Sequence, residues 1–253
     1  MSHQETYRHN ETLAQVLADW DPTFYQKYID TLHQASDGGR ALDVGCGVGR
    51  VVGALRTRGV DACGVDVSEA NIQRATQSGN PCQFYDGRRL PFEAGVFNTA
   101  GAQNVLEHVE DPVGFLTELV RVIKPLGTIV ISSPNFLRSL GYKDYHRHMR
   151  GFSNKWNNWK RMRVKHRAMK QEPDSVEFDR MTPIFKEPFE PDDDAIIATN
   201  GPEIAFFLKR LGCEVLRIEC TDRYVPKWLD LLLNATPLRF HMLNTFIVAR
   251  KME

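Results

Sequence analysis

The stretch ALDVGCGVGR, residues 41–50, constrains the fold of this chain more than any other. A short apolar run leads directly into glycines at alternate positions, Gly45, Gly47 and Gly49, and then into RVVGALRTRG, which has helical periodicity. A strand, a glycine-rich turn and a helix in this order are typical of a nucleotide site at the carboxyl end of a parallel strand. The sequence therefore predicts an α/β fold with a ligand site at this turn.

Short apolar strands alternate with helices after this turn. DACGVDV, CQFYD, VFNTAGA and TIVISS read as strands, and helices between them begin at Ser68 and at Asp111-Pro112. A helix, GPEIAFFLKRLG, and two more strands, CEVLRIECT and TFIVARK, follow near the end of the chain. This alternation favours a parallel sheet that is covered by helices on both faces.

Two parts of the chain depart from the alternation. ETLAQVLADW and PTFYQKYIDTLHQ have helical spacing, and residues 1–38 are therefore predicted to form an N-terminal helical cap. Residues 136–198 are irregular and rich in aromatic and charged side chains, which predicts a substrate-lid insertion between the fifth strand and the last helix, GPEIAFFLKRLG. We expect residues 1–253 to form a single domain. A late apolar segment, WLDLLLN, is expected to pack in the core; the alternatives are a dimer contact and a pocket wall.

The composition sets limits on partners and location. Lys and Arg number 32 and Asp and Glu number 32, so the whole-molecule charge does not favour a polyanionic partner. The five cysteines form no CxxC pair and no cluster with histidine, which predicts reduced thiols and no metal site. The chain shows no signal peptide and no apolar run of roughly 18 residues, so we expect a cytoplasmic protein without membrane spans.

The glycine turn differs from a dinucleotide-binding turn. The G-x-G-x-x-G pattern would place its third glycine at position 50, where the chain has Arg50. Asp43 precedes the turn, and a carboxylate there disfavours phosphate but suits a ligand with positive charge. The sequence therefore predicts a nucleoside ligand without phosphates and disfavours a nicotinamide dehydrogenase.

These motifs resemble those of the class I S-adenosylmethionine-dependent methyltransferases, in particular the small-molecule, type 11 group that includes ubiquinone-biosynthesis enzymes. LDVGCGVGR is similar to the first motif of the family, VDVS to its second strand end, and YDGRRLPF to its third-strand motif. NVLEHVEDP and KPLG are further signatures, although the latter is usually K-P-G-G. The likeness covers residues 40–133 and resumes from residue 194 to the C-terminus.

The resemblance implies a fold, a cofactor and a set of binding residues. The fold is a Rossmann-like sandwich whose mostly parallel, seven-stranded sheet ends in an antiparallel strand. The cofactor is S-adenosylmethionine, with S-adenosylhomocysteine as the product. Asp66, about 20 residues after Gly45, would bind both ribose hydroxyls, and Asp86 would accept from the adenine amino group. The candidate cofactor residues are Asp43, Gly45, Cys46, Gly47, Gly49, Arg50, Asp66, Val67, Asp86, Gly87, Arg88, Gln103 and Asn104.

Methyl transfer needs alignment of the acceptor with the methyl group and removal of a proton. His108 is the leading candidate for the base, because the loop after the fourth strand faces the cofactor cleft in this fold; the alternative is that it only packs there. A second cluster, Tyr145, His146 and His148, lies in the insertion, where it would bind the acceptor or remain solvated. The candidate substrate-binding residues are Asn135, Tyr142, Phe152 and Trp156.

Three functions remain open at this point. The first is methylation of a hydroxyl, or as a less favoured alternative an amine, on a small molecule such as a sugar, quinone or secondary metabolite, by a monomer or homodimer. The second is RNA methylation, which the basic segment 155–170 would serve, although the nine carboxylates between Glu172 and Asp194 would neutralise it. The third is a cofactor-binding partner subunit without catalysis. The residues favour the first function.

Overall fold

The computed structural model describes residues 21–141, 144, 146–184, 192–220, 226–242 and 244–253. The predicted helix ETLAQVLADW and two candidate site residues, Tyr142 and Tyr145, lie outside these residues. Within the described part of the chain, no helix is both long enough and apolar enough to cross a bilayer.

Seven strands in the described residues form one sheet in the order β3-β2-β1-β4-β5-β7-β6. The neighbours from β3 to β5 pair in parallel, whereas β7 pairs antiparallel with both β5 and β6. The predicted, mostly parallel sheet with one antiparallel strand is confirmed. The strands are β1 (Arg40–Val44), β2 (Asp61–Asp66), β3 (Cys82–Phe84), β4 (Phe97–Gln103), β5 (Ile123–Pro134), β6 (Cys213–Glu219) and β7 (Asn244–Lys251).

Helices cover both faces of the sheet, and their ends follow local signals in the sequence. The Ser68 hydroxyl accepts from the Asn71 amide and the Asp111 carboxylate accepts from the Gly114 amide, so both predicted caps are confirmed. The α-helices, numbered from residue 21, are α1 (Gln26–Ser36), α2 (Arg50–Thr57), α3 (Glu69–Gln77), α4 (Pro112–Val122), α5 (Phe152–Gln171), α6 (Gly201–Arg210) and α7 (Lys227–Asn234).

Two cores pack against the two faces of the sheet. Leu32 of α1 and Leu55 of α2 belong to one core, and Leu116 of α4 and Leu208 of α6 belong to the other. All four side chains are fully buried. Because strands such as β1 contribute side chains to both cores, they read as continuous apolar runs in the sequence rather than as alternating ones.

The insertion contains α5 and a long irregular return. Lys165 of α5 pairs with Asp179 at 2.8 Å and with the fully buried Glu203 of α6 at 2.5 Å, and these ion pairs join the insertion to the sheet domain. Arg180 and Ile197 form an isolated antiparallel bridge within the return.

Two expectations about the C-terminal third are wrong. The helix that follows the insertion, α6, is not the last one, because α7 connects β6 to β7. WLDLLLN forms most of α7 and does not pack in the core: Trp228 and Leu231 are 70% and 71% exposed, and only Leu233 is buried. An apolar run predicts a helix here but does not say which face the rest of the chain covers.

Candidate cofactor and catalytic site

The strand order reverses between β1 and β4, and in a parallel sheet this switch point opens a crevice at the carboxyl ends of the strands. The glycine turn lies at that edge, directly after β1. Gly45 has a φ of 74°, and a β-carbon there would overlap the Val105 side chain, which follows β4. Gly47 has a φ of 53° and donates its amide to Asp66 Oδ2 at 2.8 Å. The turn therefore needs glycine both for its backbone conformation and for contact with the next loop.

Asp66, the last residue of β2, is held in place by its neighbours. Besides the Gly47 amide, its carboxylate accepts from the Ser68 amide at 2.8 Å and from Asn71 Nδ2 at 3.3 Å. The residue is 7% exposed, and burial raises its pKa, although these hydrogen bonds oppose the rise. These hydrogen bonds fix the carboxylate beside the glycine turn.

Asp43, the second carboxylate of the turn, is also buried. Its Oδ1 accepts from the Tyr28 hydroxyl of α1 at 2.9 Å. Burial raises the pKa of Asp43 to about 7, even though the Tyr28 hydrogen bond lowers it and the charge of Asp66 raises it further. Tyr28 was not identified from the sequence, because its side chain reaches Asp43 only when α1 packs on β1.

The other candidate cofactor residues line the same edge in different environments. Asp86 is exposed, and its Oδ1 accepts from the Arg88 amide at 2.9 Å. Gln103 donates to the Phe24 carbonyl at 3.4 Å, and Asn104 has a φ of 53°. The remaining candidates are Cys46, Gly49, Arg50, Val67 and Gly87, of which Gly49 and Arg50 are the cap and first residue of α2.

Cys46 lies within the glycine turn but is unsuited to nucleophilic chemistry. Its side chain is buried, and a hydrogen bond with Cys82 together with burial raises the pKa of its thiol well above the usual value. Cys46 therefore remains a neutral thiol near pH 7.

His108 lies in the predicted loop, at the end of a short 3-10 turn after β4. Its side chain is 19% exposed, its Nδ1 lies 3.7 Å from Asp194 Oδ1, and its Nε2 lies 4.0 Å from Glu107 Oε1. The Asp194 side chain beside Nδ1 is placed to stabilise an imidazolium, so the arrangement suits a proton acceptor.

Glu107 is fully buried behind His108. Its backbone carbonyl accepts from the amides of Ile196 and Ile197, and its Oε2 shares a hydrogen bond with Ser133 Oγ at 3.0 Å. Burial and then the charge of Asp192 raise the pKa of Glu107 well above its usual value. The return of the insertion is thus fastened to the loop after β4 through the Glu107 backbone.

Glu107, His108 and Asp192 bring one ligand atom each to within 4.8 Å of one another, and such a group could hold a divalent cation. The sequence does not show this grouping, because Asp192 comes from the far end of the insertion.

Asp192 and Asp194 belong to the acidic run that we interpreted only as a charge to neutralise the basic helix. Their position beside His108 was missed for the same reason.

His146 and His148 stack on each other with ring centroids 5.2 Å apart, and the His146 ring meets Phe136 edge-on at 5.1 Å. His146 is 1% exposed, and burial followed by the positive charge of His148 lowers its pKa to about 4. Burial also lowers the pKa of His148. Both rings are therefore neutral near pH 7, and His146 is a weaker base than an ordinary histidine.

The candidate substrate residues lie in two kinds of position. Asn135 is 1% exposed, and its amide donates to the carbonyls of Phe240 and Met242, so it holds the segment before β7 against the end of β5. Phe152 is 85% exposed, and the half-exposed Trp156 ring stacks on Trp159 at 4.9 Å. The Phe152 and Trp156 rings therefore lie on the outer surface of α5.

Comparison with known proteins finds similarity to methyltransferases. A family model described as a methyltransferase domain matches residues 42–131. The ubiquinone biosynthesis O-methyltransferase of Methylococcus capsulatus is 34% identical over 136 residues, which are 46% of this chain and 56% of that protein. A solved S-adenosylmethionine-dependent methyltransferase from Mesorhizobium loti has a TM-score of 0.60 at 15% identity, covering 90% of this chain and 97% of that one.

Another similar structure is a geranyl diphosphate C-methyltransferase from Streptomyces coelicolor, solved with Mg²⁺, geranyl diphosphate and S-adenosylhomocysteine. Its TM-score is 0.56 at 12% identity, with 90% of this chain and 79% of that chain covered. The chain spans about half the length of the curated relatives that it matches. Residues 42–131 are thus similar in sequence to a methyltransferase domain, and the sheet has the fold of the solved S-adenosylmethionine-dependent methyltransferases.

Proposed function

We propose that this chain binds S-adenosylmethionine at the carboxyl ends of β1, β2 and β4 and transfers its methyl group to a hydroxyl of a small molecule. The observation that carries the proposal is the buried Asp66 carboxylate, fixed by the Gly47 and Ser68 amides beside an open glycine turn. A fixed carboxylate at this position can accept hydrogen bonds from the two ribose hydroxyls of a nucleoside.

The residues of the cleft fit this cofactor in charge as well as in shape. The Asp43 carboxylate lies beside the turn and favours an ammonium or sulfonium group over a phosphate. Glycine at positions 45 and 47 gives the turn its positive φ angles and carries no side chain that would stand between the backbone and the methionine part. Asp86, Gly87 and Arg88, after β3, would surround the adenine.

When bound, S-adenosylmethionine supplies a methyl group on a sulfonium, which an acceptor oxygen takes by in-line displacement, leaving S-adenosylhomocysteine. His108 would accept the proton of the acceptor hydroxyl on a ring nitrogen. Asp194, 3.7 Å from Nδ1, would stabilise the resulting imidazolium. His146, with its pKa near 4, would be the poorer base at neutral pH, so the proposal assigns the base to His108 and leaves His146 and His148 as walls of the acceptor site.

The acceptor class rests on the relatives and on the insertion. Matched relatives such as the Methylococcus capsulatus protein are named for O-methylation in ubiquinone biosynthesis. In this chain, the return of the insertion bonds to the Glu107 backbone beside His108, so the insertion closes one side of the proposed acceptor site. An enclosed site suits a small molecule better than a polymer.

The RNA alternative is weaker, because part of the basic helix is already paired. Lys165 bonds to Glu203 and Asp179, and Arg161 bonds to Asp179. The Trp156 and Trp159 rings, with Lys160 and Arg163 stacked over them, remain as the features that favour it. If the chain is a partner subunit without catalysis, it binds the cofactor at the same site, and its role in the complex does not depend on His108.

The test is incubation of the protein with methyl-labelled S-adenosylmethionine and extract from its source, followed by separation of the products by size and by nuclease sensitivity. The proposal predicts label in small, nuclease-resistant species, and less label with His108→Gln. Label in a nuclease-sensitive polymer would support RNA methylation. Absence of label while S-adenosylhomocysteine binds would support the non-catalytic partner.

A further inference from the structure

Asp43 occupies an unusual place in the sheet. It is a buried carboxylate in the interior strand β1, and its neighbours in register are Gly64 on β2 and Gly101 on β4. The two glycines leave space on the sheet surface on either side of it. A β-carbon at Gly64 would meet the Cys46 side chain, and a β-carbon at Gly101 would overlap the ring of Tyr28.

The space at Gly101 is filled by Tyr28 of α1. The Tyr28 side chain is 1% exposed, its ring lies against Gly101, and its hydroxyl donates to Asp43 Oδ1 at 2.9 Å. Burial and the Asp43 charge raise the pKa of this hydroxyl well above its usual value, so it stays a proton donor. Tyr28 reaches Asp43 because Gly101, on the neighbouring strand β4, has no side chain in the space that the tyrosine ring fills.

We infer that Tyr28 is a positioning residue of the cofactor site, whose hydroxyl holds the Asp43 carboxylate ready for the ammonium group of the ligand. This inference rests on the proposed function, and it makes α1 part of the cofactor site rather than only a cover for the sheet. The hydrogen bond occupies Oδ1 and leaves Oδ2 for the ligand. It also favours the charged form of Asp43, which burial opposes.

The consequence is a pH dependence of ligand affinity that Tyr28 controls. An ammonium group binds the ionised carboxylate, so affinity should rise with pH through the pKa of Asp43, about 7, and level off above it. Loss of the Tyr28 hydroxyl removes an interaction that lowers this pKa, and the midpoint should move upward. Other ionisable groups also interact with this pair, namely Tyr25, Cys46, Cys63 and Asp66 with Asp43, and Arg50 with Tyr25.

The experiment is calorimetric titration of the full chain with S-adenosylhomocysteine and with methylthioadenosine, between about pH 6 and about pH 8.5. Both ligands carry the ribose and adenine, so both report on Asp66, but only the first carries an ammonium group. The variants are Tyr28→Phe, which keeps the ring against Gly101, and Ile29→Val, a matched core change in the same helix.

For the wild type we expect S-adenosylhomocysteine affinity to fall by about fivefold between pH 7 and pH 6, while methylthioadenosine affinity stays nearly constant. Tyr28→Phe should move the midpoint up by about one pH unit, so that affinity at pH 7 is about fivefold to tenfold weaker but recovers near pH 8.5. Ile29→Val should keep the wild-type profile. Asp43→Asn should give weak binding with no pH dependence even if Tyr28→Phe does not fold.

A Tyr28→Phe profile parallel to the wild type, or a wild-type profile that is flat for both ligands, would overturn the inference and leave the cofactor proposal standing. Failure of the wild type to bind either ligand would overturn the cofactor proposal and, with it, the role of Tyr28.

Discussion

Ser133 Oγ and Glu107 Oε2 lie 3.0 Å apart in a buried hydrogen bond that joins the end of β5 to the loop after β4. Ser133 Oγ is also 2.7 Å from Thr199 Oγ1, whose hydroxyl donates to the Pro134 carbonyl. Each hydroxyl has one proton, so Ser133 can donate to Thr199 only if Glu107 is protonated and donates to Ser133. The chain of hydroxyls and the raised pKa of Glu107 therefore point to a neutral side chain.

Glu107→Gln should reduce the loss of stability at high pH. Because the folded-state pKa of Glu107 is raised above the unfolded value, the folded protein binds the extra proton, and stability falls as pH rises from the unfolded pKa toward the folded one. Glutamine is neutral and can donate to Ser133. Thermal unfolding should show a higher Tm for Glu107→Gln than for wild type at pH 8 and a smaller difference at pH 5; the opposite trend would mean that Glu107 is ionised in the fold.

His108→Gln should lower kcat by about 10²-fold to 10⁴-fold, as for loss of a general base, and should leave S-adenosylhomocysteine affinity unchanged. The matched variant is His146→Gln, which removes a histidine whose pKa is near 4 and which should not cost a comparable factor in kcat. Steady-state assays with the acceptor found in the labelling experiment would measure both. A larger kcat loss for His146→Gln would transfer the role of base to the insertion.

Gly45→Ala should weaken S-adenosylhomocysteine binding by more than about tenfold, because the new β-carbon would overlap Val105 and the positive φ strains alanine. Gly79→Ala is the control: its φ of 77° is similar, but no atom lies within 4 Å of the added β-carbon. The control should cost about 1 kcal/mol of stability, measured by urea unfolding, and leave affinity unchanged. Equal effects of the two substitutions on affinity would contradict a specific role for the turn.

The parts of the site that the sequence predicts are the parts formed by neighbours along the chain. The glycine turn, the Asp66 strand end and the caps at Ser68 and Asp111 follow from local patterns. The relationships that it does not predict are long-range: Tyr28 with Asp43 depends on the packing of α1, and Asp194 with His108 depends on the path of the insertion. The exposed α7 shows the same limit, because an apolar face predicts burial only where another element covers it.

Lys165→Met should destabilise the fold by about 3–5 kcal/mol, because it leaves the fully buried Glu203 without its cation. Arg163→Met, an exposed position on the same helix, should change the unfolding free energy by less than about 0.5 kcal/mol. Urea unfolding of the two variants makes the comparison. Similar small effects would show that the insertion is not fastened to α6 through this pair.

Calorimetric titration of the full chain with S-adenosylhomocysteine, comparing wild type with Asp66→Asn, tests whether this cleft binds the cofactor. This substitution keeps the size of the side chain but removes the charge that the Gly47 and Ser68 amides hold in place. We expect the wild type to bind S-adenosylhomocysteine at one site and the variant to bind it at least about tenfold more weakly. Equal affinity in the two proteins, or no binding by the wild type, would contradict the assignment of this cleft to the cofactor.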